Sequence, residues 1–224
     1  MRLAEFNIAT AVKITLALVV MFFCLLTVGS EAMAEQKAAS VTRSNAKIEQ
    51  SDIVFGNPEA EIVVVEYFAP GCVHCSEYHA NIFPQIKRKY IDTGRIAYVM
   101  REFVGSRQDL EASLLARCTA DKNSYLNIMR QILTTQDAWV WYQDYRKRLI
   151  DIGIKHNISA EQYELCRQDE SKTRILINNA KRAVSDPDFP GTPSFYINGA
   201  FVEGGYGNLP LAIEHNLTRE VSGN

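Results

Sequence analysis

The sequence has no excess of positive charge, no dense set of cysteines and no apolar run of comfortable membrane-spanning length. Its 24 lysines and arginines nearly balance 26 aspartates and glutamates. The chain therefore has no net positive charge with which to neutralise a nucleic-acid backbone. Five cysteines among 224 residues are too few for a disulfide-rich miniprotein. With 47% apolar and 22% charged residues, the composition indicates a folded protein of one or two domains.

The longest apolar run lies near the N-terminus and predicts an export signal. It covers residues 14–28, follows the basic residues Arg2 and Lys13, and precedes Ala32 and Ala34, which fit a signal-peptidase site. Its 15 residues fall short of the roughly 20 that a transmembrane helix needs. We therefore expect the body of the protein to be exported to the periplasm.

This segment has two alternative interpretations. An uncleaved signal would tether the protein to the membrane, and the long n-region containing Glu5 favours this alternative. A lipoprotein attachment at Cys24 is disfavoured because Phe22 and Phe23 stand where small residues are required.

The pattern that follows predicts a sheet divided by a helical block. Two β-branched segments, 61–68 and 95–104, flank a helix kinked at Pro84, which indicates a parallel β-α-β unit. Asn198-Gly199 predicts a late hairpin. The order predicts an α/β fold with an all-helical insertion. The expected divisions are a signal peptide at 1–34, a flexible leader at 35–50, a first sheet part at 51–105, the helical insertion at 106–188 and a second sheet part at 189–224. Within the insertion, helices are expected at 109–122, 124–134, 139–152, 159–167 and 172–184.

The chemistry concentrates in Cys72-Val73-His74-Cys75, where a buried strand ends and a helix begins. The N–H groups and positive dipole end of a helix N-terminus stabilise a thiolate at Cys72. An imidazolium at His74 would add to this stabilisation. A stabilised thiolate is a good leaving group and favours the dithiol, so the disulfide would be an oxidant. We expect Cys72 to be the attacked sulfur and Cys75 its buried resolving partner.

The same cysteines are compatible with other roles. Cys72, Cys75 and His79 look like part of a zinc site, but no second ligand pair of standard spacing follows. A purely structural disulfide between Cys72 and Cys75 would close a ring too small to restrain the unfolded chain much. Covalent haem attachment is excluded because residue 76 is serine.

Two segments together resemble a known family. Residues 66–75 read EYFAPGCVHC and residues 191–199 read GTPSFYING, and this combination resembles thioredoxin-fold proteins of the DsbA class. The resemblance covers roughly residues 51–221. It implies a thioredoxin-like fold split by a helical insertion, and protein dithiol:disulfide oxidoreductase activity that needs no cofactor.

The resemblance also implies roles for individual residues. Pro193 would be the cis-proline that faces the sulfurs, and the Thr192 backbone would pair with a substrate peptide. Glu66 would be the buried acid that relays a proton to Cys75, and Arg101 on the neighbouring strand is its expected charge partner. Cys72 and His74 match the family nucleophile and histidine.

Two departures from the family pattern bear on function, the first on the degree of oxidising character and the second on the substrate range. Val73 stands where the best-known members have proline. Thr192 replaces the valine of the strongest oxidases, and threonine there is shared with isomerase and reductase branches.

The remaining pair, Cys118 and Cys166, is expected to form a structural disulfide. Removal of the signal leaves four cysteines, an even number in an oxidising compartment. The alternatives are two buried free thiols or a second redox site, although no C-x-x-C spacing supports the latter.

These observations predict an exported oxidoreductase that donates its Cys72–Cys75 disulfide to unfolded or partly folded exported proteins with free cysteines. A membrane oxidase resembling DsbB would reoxidise it. No dimerisation domain is recognised ahead of the motif, which argues against a DsbC-like isomerase. A monomer is expected, with no nucleic-acid partner. The alternatives are an isomerase or reductase kept reduced by an electron donor, and a non-catalytic peptide-binding holdase.

Overall fold

The structure is a computed structural model that describes residues 47–222, with side chains described as far as residue 219. The predicted signal peptide at 1–34 lies outside the described residues, as does most of the leader predicted at 35–50. Among the helices of the described range, none is long and apolar enough to cross a membrane.

A five-stranded mixed sheet forms the centre of the fold. Its spatial order is β1-β3-β2-β4-β5. The predicted parallel pair is confirmed, with β2 and β3 side by side in register, while the other neighbours run antiparallel. The strands are β1 Ile53–Gly56, β2 Val63–Phe68, β3 Ala97–Glu102, β4 Ser194–Ile197 and β5 Ala200–Phe201. β2 is central and almost wholly buried because packed side chains cover both faces of the sheet.

Helices connect and cover this sheet. The helices are α1 Val73–Asn81, α2 Phe83–Ile86, α3 Arg107–Ala116, α4 Lys122–Thr134, α5 Tyr145–Lys155, α6 Ala160–Gln168, α7 Glu170–Ser185 and α8 Leu209–Ser222. Pro84 separates α1 from α2, which continues into a π-helical turn at Lys87–Ile91. Proline is tolerated there because the first N–H groups of a helix have no intrahelical partner.

Two short sequence motifs correctly predicted a helix start and a hairpin. Ser159 and Gln162 form the predicted capping box at the start of α6. Asn198 and Gly199 both have positive φ values, 49° and 87°, and connect β4 to β5 as the predicted hairpin.

Two predicted helix boundaries were wrong. The helix expected over 139–152 begins only at Tyr145, because Trp139 is buried and its indole N–H donates to the Ile132 carbonyl. The aromatic residues near Trp139 therefore did not indicate a helix, because the burial of Trp139 comes from tertiary packing. The helix expected over 109–122 ends at Ala116, so Cys118 follows α3 and does not lie within it.

The helical segment between β3 and β4 is tied to the sheet by a buried ion pair. Glu102 on β3 accepts two hydrogen bonds from Arg117, at 2.6 and 2.7 Å, and one from the Tyr125 hydroxyl. Cys118 and Cys166 form a disulfide with their Cα atoms 5.6 Å apart. This disulfide joins the end of α3 to α6.

Candidate active site

Cys72 is the N-cap of α1 and follows β2 after a short turn. Its backbone is extended, which ends the turn and starts the helix. Its sulfur accepts a hydrogen bond from the backbone N–H of Cys75, over 3.4 Å. Both thiols are free, with Cys72 partly exposed and Cys75 buried. The sequence predicted an exposed sulfur at Cys72 and a buried one at Cys75, and the structure shows this difference.

The helical segment holds the backbone of the active-site turn. Asp109 Oδ1 accepts a hydrogen bond from the Gly71 N–H over 2.8 Å. Gln136 Nε2 donates to the carbonyls of Pro70 and Cys72, at 2.6 and 2.8 Å. Our sequence reasoning missed Asp109 and Gln136. The chain pattern carries no signal for either, because an acid in a first helical turn and a glutamine near a helix end are ordinary.

The Cys72 thiol is strongly acidified. A hydrogen bond from the Cys75 thiol is the largest cause and lowers the pKa of Cys72 to about 6. Burial acts in the opposite direction, while the Thr192 side chain lowers the pKa further. Backbone N–H groups of Cys75 and His74 add to this lowering, as expected at a helix N-terminus.

Cys75 has the opposite environment. Its burial raises the pKa of its thiol well above the ordinary value, and the proximity of Cys72 and Glu66 raises it further. A thiol in such a site takes up a proton when it is released from a disulfide. This behaviour is what a buried resolving cysteine requires.

The His74 ring is exposed and pairs with Glu77. The two side chains lie 3.1 Å apart, and the Tyr206 hydroxyl donates to the same Glu77 oxygen. The hydrogen bond with Glu77 and its charge raise the pKa of His74. The leading contribution of His74 to the Cys72 thiolate comes from its backbone N–H and not from the imidazolium that the sequence suggested.

The loop before β4 faces Cys72. The peptide bond between Thr192 and Pro193 is cis. The Cys72 thiol donates to the Thr192 carbonyl over 3.1 Å, although 120 residues separate them in the chain. The structure thus brings together the two motifs on which the family resemblance depends.

Glu66 is fully buried on β2, as the resemblance implied, but its expected partner was wrong. Parallel pairing sets Glu66 opposite Met100 and sets Tyr67 opposite Arg101. Because side chains alternate between sheet faces, Arg101 lies on the face opposite to Glu66. Arg101 binds Asp52 with donor–acceptor distances of 2.9 and 2.7 Å.

The actual partners of Glu66 are His79 and Tyr98. Glu66 Oε1 lies 2.8 Å from His79 Nε2, and the Tyr98 hydroxyl donates to Oε2 over 2.8 Å. His79 is thereby engaged away from a zinc site with Cys72 and Cys75. Within residues 47–222, no three His, Cys, Asp or Glu side chains are grouped so that they could hold a metal ion.

A mixed sheet, an acidified N-cap thiol, a buried second thiol and a facing cis-proline loop define a class of protein. This class is the thiol:disulfide oxidoreductases of thioredoxin-like fold, whose two sulfurs alternate between dithiol and disulfide.

Comparisons with known proteins agree with this class. The thioredoxin family model matches residues 49–209. A Rickettsia typhi protein named "Putative protein-disulfide oxidoreductase" is 43% identical over 188 residues, covering 84% of this chain and 70% of that protein. The chain belongs to the thioredoxin family and, within it, to the DsbA-class protein dithiol:disulfide oxidoreductases.

Solved structures show the same fold. The crystal structure of alpha-DsbA1 from Wolbachia pipientis matches with a TM-score of 0.70 and 27% identity, covering 78% of this chain and 95% of that one. Oxidised BdbD from Bacillus subtilis matches in fold with a TM-score of 0.66 and 19% identity, covering 75% and 93%. The predicted thioredoxin-like fold with a helical insertion is therefore confirmed.

Proposed function

We propose that this enzyme is an exported oxidase that introduces disulfides into other exported proteins. A substrate thiolate attacks Cys72 Sγ, the Cys72–Cys75 bond breaks, and Cys75 leaves with the electron pair and takes up a proton. A second substrate thiolate then attacks the substrate sulfur of the mixed disulfide, and Cys72 leaves as a thiolate. The substrate dithiol is oxidised to a disulfide while the enzyme disulfide is reduced.

The observation that carries this proposal is the position of Cys72 at the N-terminus of α1, where its sulfur accepts a hydrogen bond from the Cys75 N–H and its pKa is lowered to about 6. A thiol with a low pKa leaves a mixed disulfide readily and stabilises the reduced enzyme. Both effects drive electrons from the substrate to the enzyme. The Thr192 carbonyl, 3.1 Å from Cys72 Sγ, would lie beside the attacked sulfur and pair with the substrate backbone.

Export and reoxidation complete the proposed cycle. The apolar run at 14–28 and the small residues before Glu35 support secretion with cleavage after Ala34. A membrane oxidase resembling DsbB would return the dithiol to a disulfide, and the enzyme would act as a monomer. N-terminal sequencing of the protein recovered from a periplasmic fraction should begin at Glu35; recovery of the intact N-terminus in membranes would instead indicate a tethered enzyme.

The reduction potential of the Cys72–Cys75 pair tests the direction of transfer. The protein is equilibrated in glutathione buffers, and a Cys118→Ala/Cys166→Ala variant keeps the second pair from contributing. A potential near about −120 mV, the value of DsbA itself, supports the oxidase. A potential near about −270 mV, as in thioredoxin, overturns it and favours a reductase or isomerase.

Thr192 gives one reason to test isomerisation as well, because threonine at this position is shared with the isomerase and reductase branches of the family. An isomerase would restore activity to a scrambled disulfide protein when supplied in its dithiol form. A Cys72→Ala variant separates both enzymes from a peptide-binding holdase, since only a holdase would still suppress aggregation of an unfolded client to the wild-type extent.

A further inference from the structure

His79 occupies an unusual position for a titratable side chain. It is fully buried and follows Cys75 by four residues on α1, so the two side chains share one face of the helix. Its ring packs against Phe68, Tyr78 and Phe83, with the closest ring centroids, those of His79 and Phe83, 4.7 Å apart. Apolar packing alone does not explain a histidine at this site.

A directed chain of hydrogen bonds ends at the His79–Glu66 contact. The Tyr98 hydroxyl donates to Glu66, and Tyr78 lies 2.8 Å from the Tyr98 oxygen and therefore donates to it. Burial raises the pKa of both tyrosines well above the ordinary value, so both remain protonated donors. Glu66 Oε1 and His79 Nε2, 2.8 Å apart, must then share one proton.

The other ring nitrogen of His79 has no hydrogen-bond partner. Nδ1 is buried and unpaired, whichever tautomer the ring adopts. Buried polar atoms are almost always paired, and the exceptions occur where a group acts in chemistry. The titratable groups around this ring are Glu66 on β2, Tyr98 on β3, and Cys75 and Tyr78 on its own helix.

We propose that His79 is a positioning residue which, paired with Glu66, holds the proton that Cys75 exchanges during the reaction. When a thiolate attacks Cys72 and the disulfide breaks, the proton between Glu66 Oε1 and His79 Nε2 passes to the Cys75 sulfur. Nδ1 keeps the proton of the ring, so a carboxylate and a neutral imidazole remain, with one negative charge, until the pair regains a proton from solvent. In the reverse direction the pair accepts the Cys75 proton as the disulfide forms. The inference rests on Cys75 as the resolving thiol and is independent of whether the enzyme acts as oxidase or reductase.

The geometry supports the pair acting as one unit. Cys75 and His79 lie one turn apart on the same face of α1, and His79 contacts Glu66. The charge of Glu66 also raises the pKa of the Cys75 thiol. A lone buried carboxylate would have to carry its charge uncompensated, whereas His79 shares it at hydrogen-bond distance. Proton delivery by a positioned pair also avoids releasing a buried thiolate at Cys75.

Single-turnover kinetics test the proposal. Oxidised protein reacts with glutathione between pH 4.5 and 8, acid quenching and alkylation trap the free Cys75 thiol, and mass spectrometry gives the rate per glutathione thiolate. We expect Glu66→Gln and His79→Gln each to lower this rate at pH 7 by about tenfold or more, within the range of general acid catalysis. The double variant should be no slower than the slower single variant, because the pair acts as a unit.

Phe83→Leu is the matched packing control. It loosens the contact on the His79 ring but removes no proton-bearing group, so it should lower the melting temperature and leave the pH profile unchanged. The proposal is overturned if His79→Gln folds and keeps the wild-type rate, or if the two single effects multiply in the double variant.

A measurement on the wild-type protein covers the case in which His79→Gln does not fold. The rate per glutathione thiolate should fall in heavy water, since a proton moves as Cys75 leaves. Equal rates in light and heavy water would overturn the proposal without any variant. These measurements concern one exchange step, so they can fail while the proposed oxidase function stands, and the reduction potential can contradict the oxidase while they succeed.

Discussion

At the scale of single residues, two cysteines three positions apart have opposite acid–base behaviour. Cys72 caps a helix, where thiol and backbone N–H donors lower its pKa to about 6. Cys75, one turn into the helix, is buried, and its pKa is raised well above the ordinary value. Position relative to the helix terminus and to solvent therefore assigns the two sulfurs different tasks.

The acidified Cys72 links the stability of the reduced protein to pH. Its folded pKa of about 6 lies below that of an unfolded thiol, so the stabilisation is fully present above the unfolded pKa, partly present at pH 7, and lost as pH falls through 6. Urea unfolding at pH 5 and pH 7.5 should show the reduced form gaining on the oxidised form at the higher pH. A Cys72→Ser variant has no Cys72–Cys75 disulfide, and its stability should rise less between these two pH values than that of the reduced wild-type protein; an equal rise would contradict the prediction.

The charge state of His74 depends on Glu77. The hydrogen bond between them is the main cause of the raised pKa of His74, so a Glu77→Gln substitution should lower the midpoint of its imidazole titration. Histidine chemical shifts followed by NMR across pH 5–8 measure this midpoint. Tyr206→Phe, which removes only a hydrogen bond to Glu77, should move the midpoint less, and an unchanged midpoint in Glu77→Gln would refute the assignment.

At the scale of elements, the active-site turn depends on residues outside the strand and helix that it connects. Asp109 in the first turn of α3 accepts from the Gly71 N–H, and Gln136 donates to the carbonyls on either side. The helical segment therefore supports the turn that carries Cys72. Changes in that segment are expected to reach the active site through these two side chains.

Gln136→Leu should destabilise the protein by about 1–3 kcal/mol, because it leaves the Pro70 and Cys72 carbonyls without their donor. The free energy of unfolding from urea titration measures this loss. Gln168→Leu is the matched control: Gln168 donates to Glu164 on an exposed face, so its loss should stay within about 0.5 kcal/mol. Equal effects of the two substitutions would argue against the support assigned to Gln136.

At the scale of the whole molecule, two long-range interactions hold the helical segment between β3 and β4. An ion pair joins it to the sheet, and a disulfide joins two of its own helices. The buried Glu102–Arg117 pair connects β3 to the end of α3. The next residue, Cys118, bonds to Cys166 in α6, closing a loop with a sequence separation of 48. Neither link involves Cys72 or Cys75, so these two links stabilise the fold without contacting the reacting sulfurs.

Removing the second disulfide should cost stability and spare the chemistry. For a loop of this length, the chain-entropy model predicts that Cys118→Ala/Cys166→Ala loses roughly 4 kcal/mol. Denaturant unfolding of the oxidised proteins gives the loss, and iodoacetamide alkylation against pH gives the Cys72 titration, which should keep its midpoint. A shifted midpoint would show that the disulfide also shapes the active site.

The sequence by itself determined the features that depend on neighbouring residues. A β-branched run followed by Cys72 at a helix start predicts an acidified thiol, because helix-terminal N–H groups are local. The Ser159 cap and the Asn198-Gly199 hairpin follow from the same kind of short-range preference. The two motifs around Cys72 and Pro193 resemble one family, and this resemblance was enough to predict the class of fold and the type of chemistry.

Only the tertiary structure decided which distant side chains meet. Register along β2 and β3 turned Arg101 away from Glu66, and the packing of α1 onto the sheet supplied His79 in its place. Gln136 reaches the Cys72 carbonyl from 64 residues away. Such contacts depend on strand pairing and helix packing across the whole chain, and short-range patterns carry no information about them.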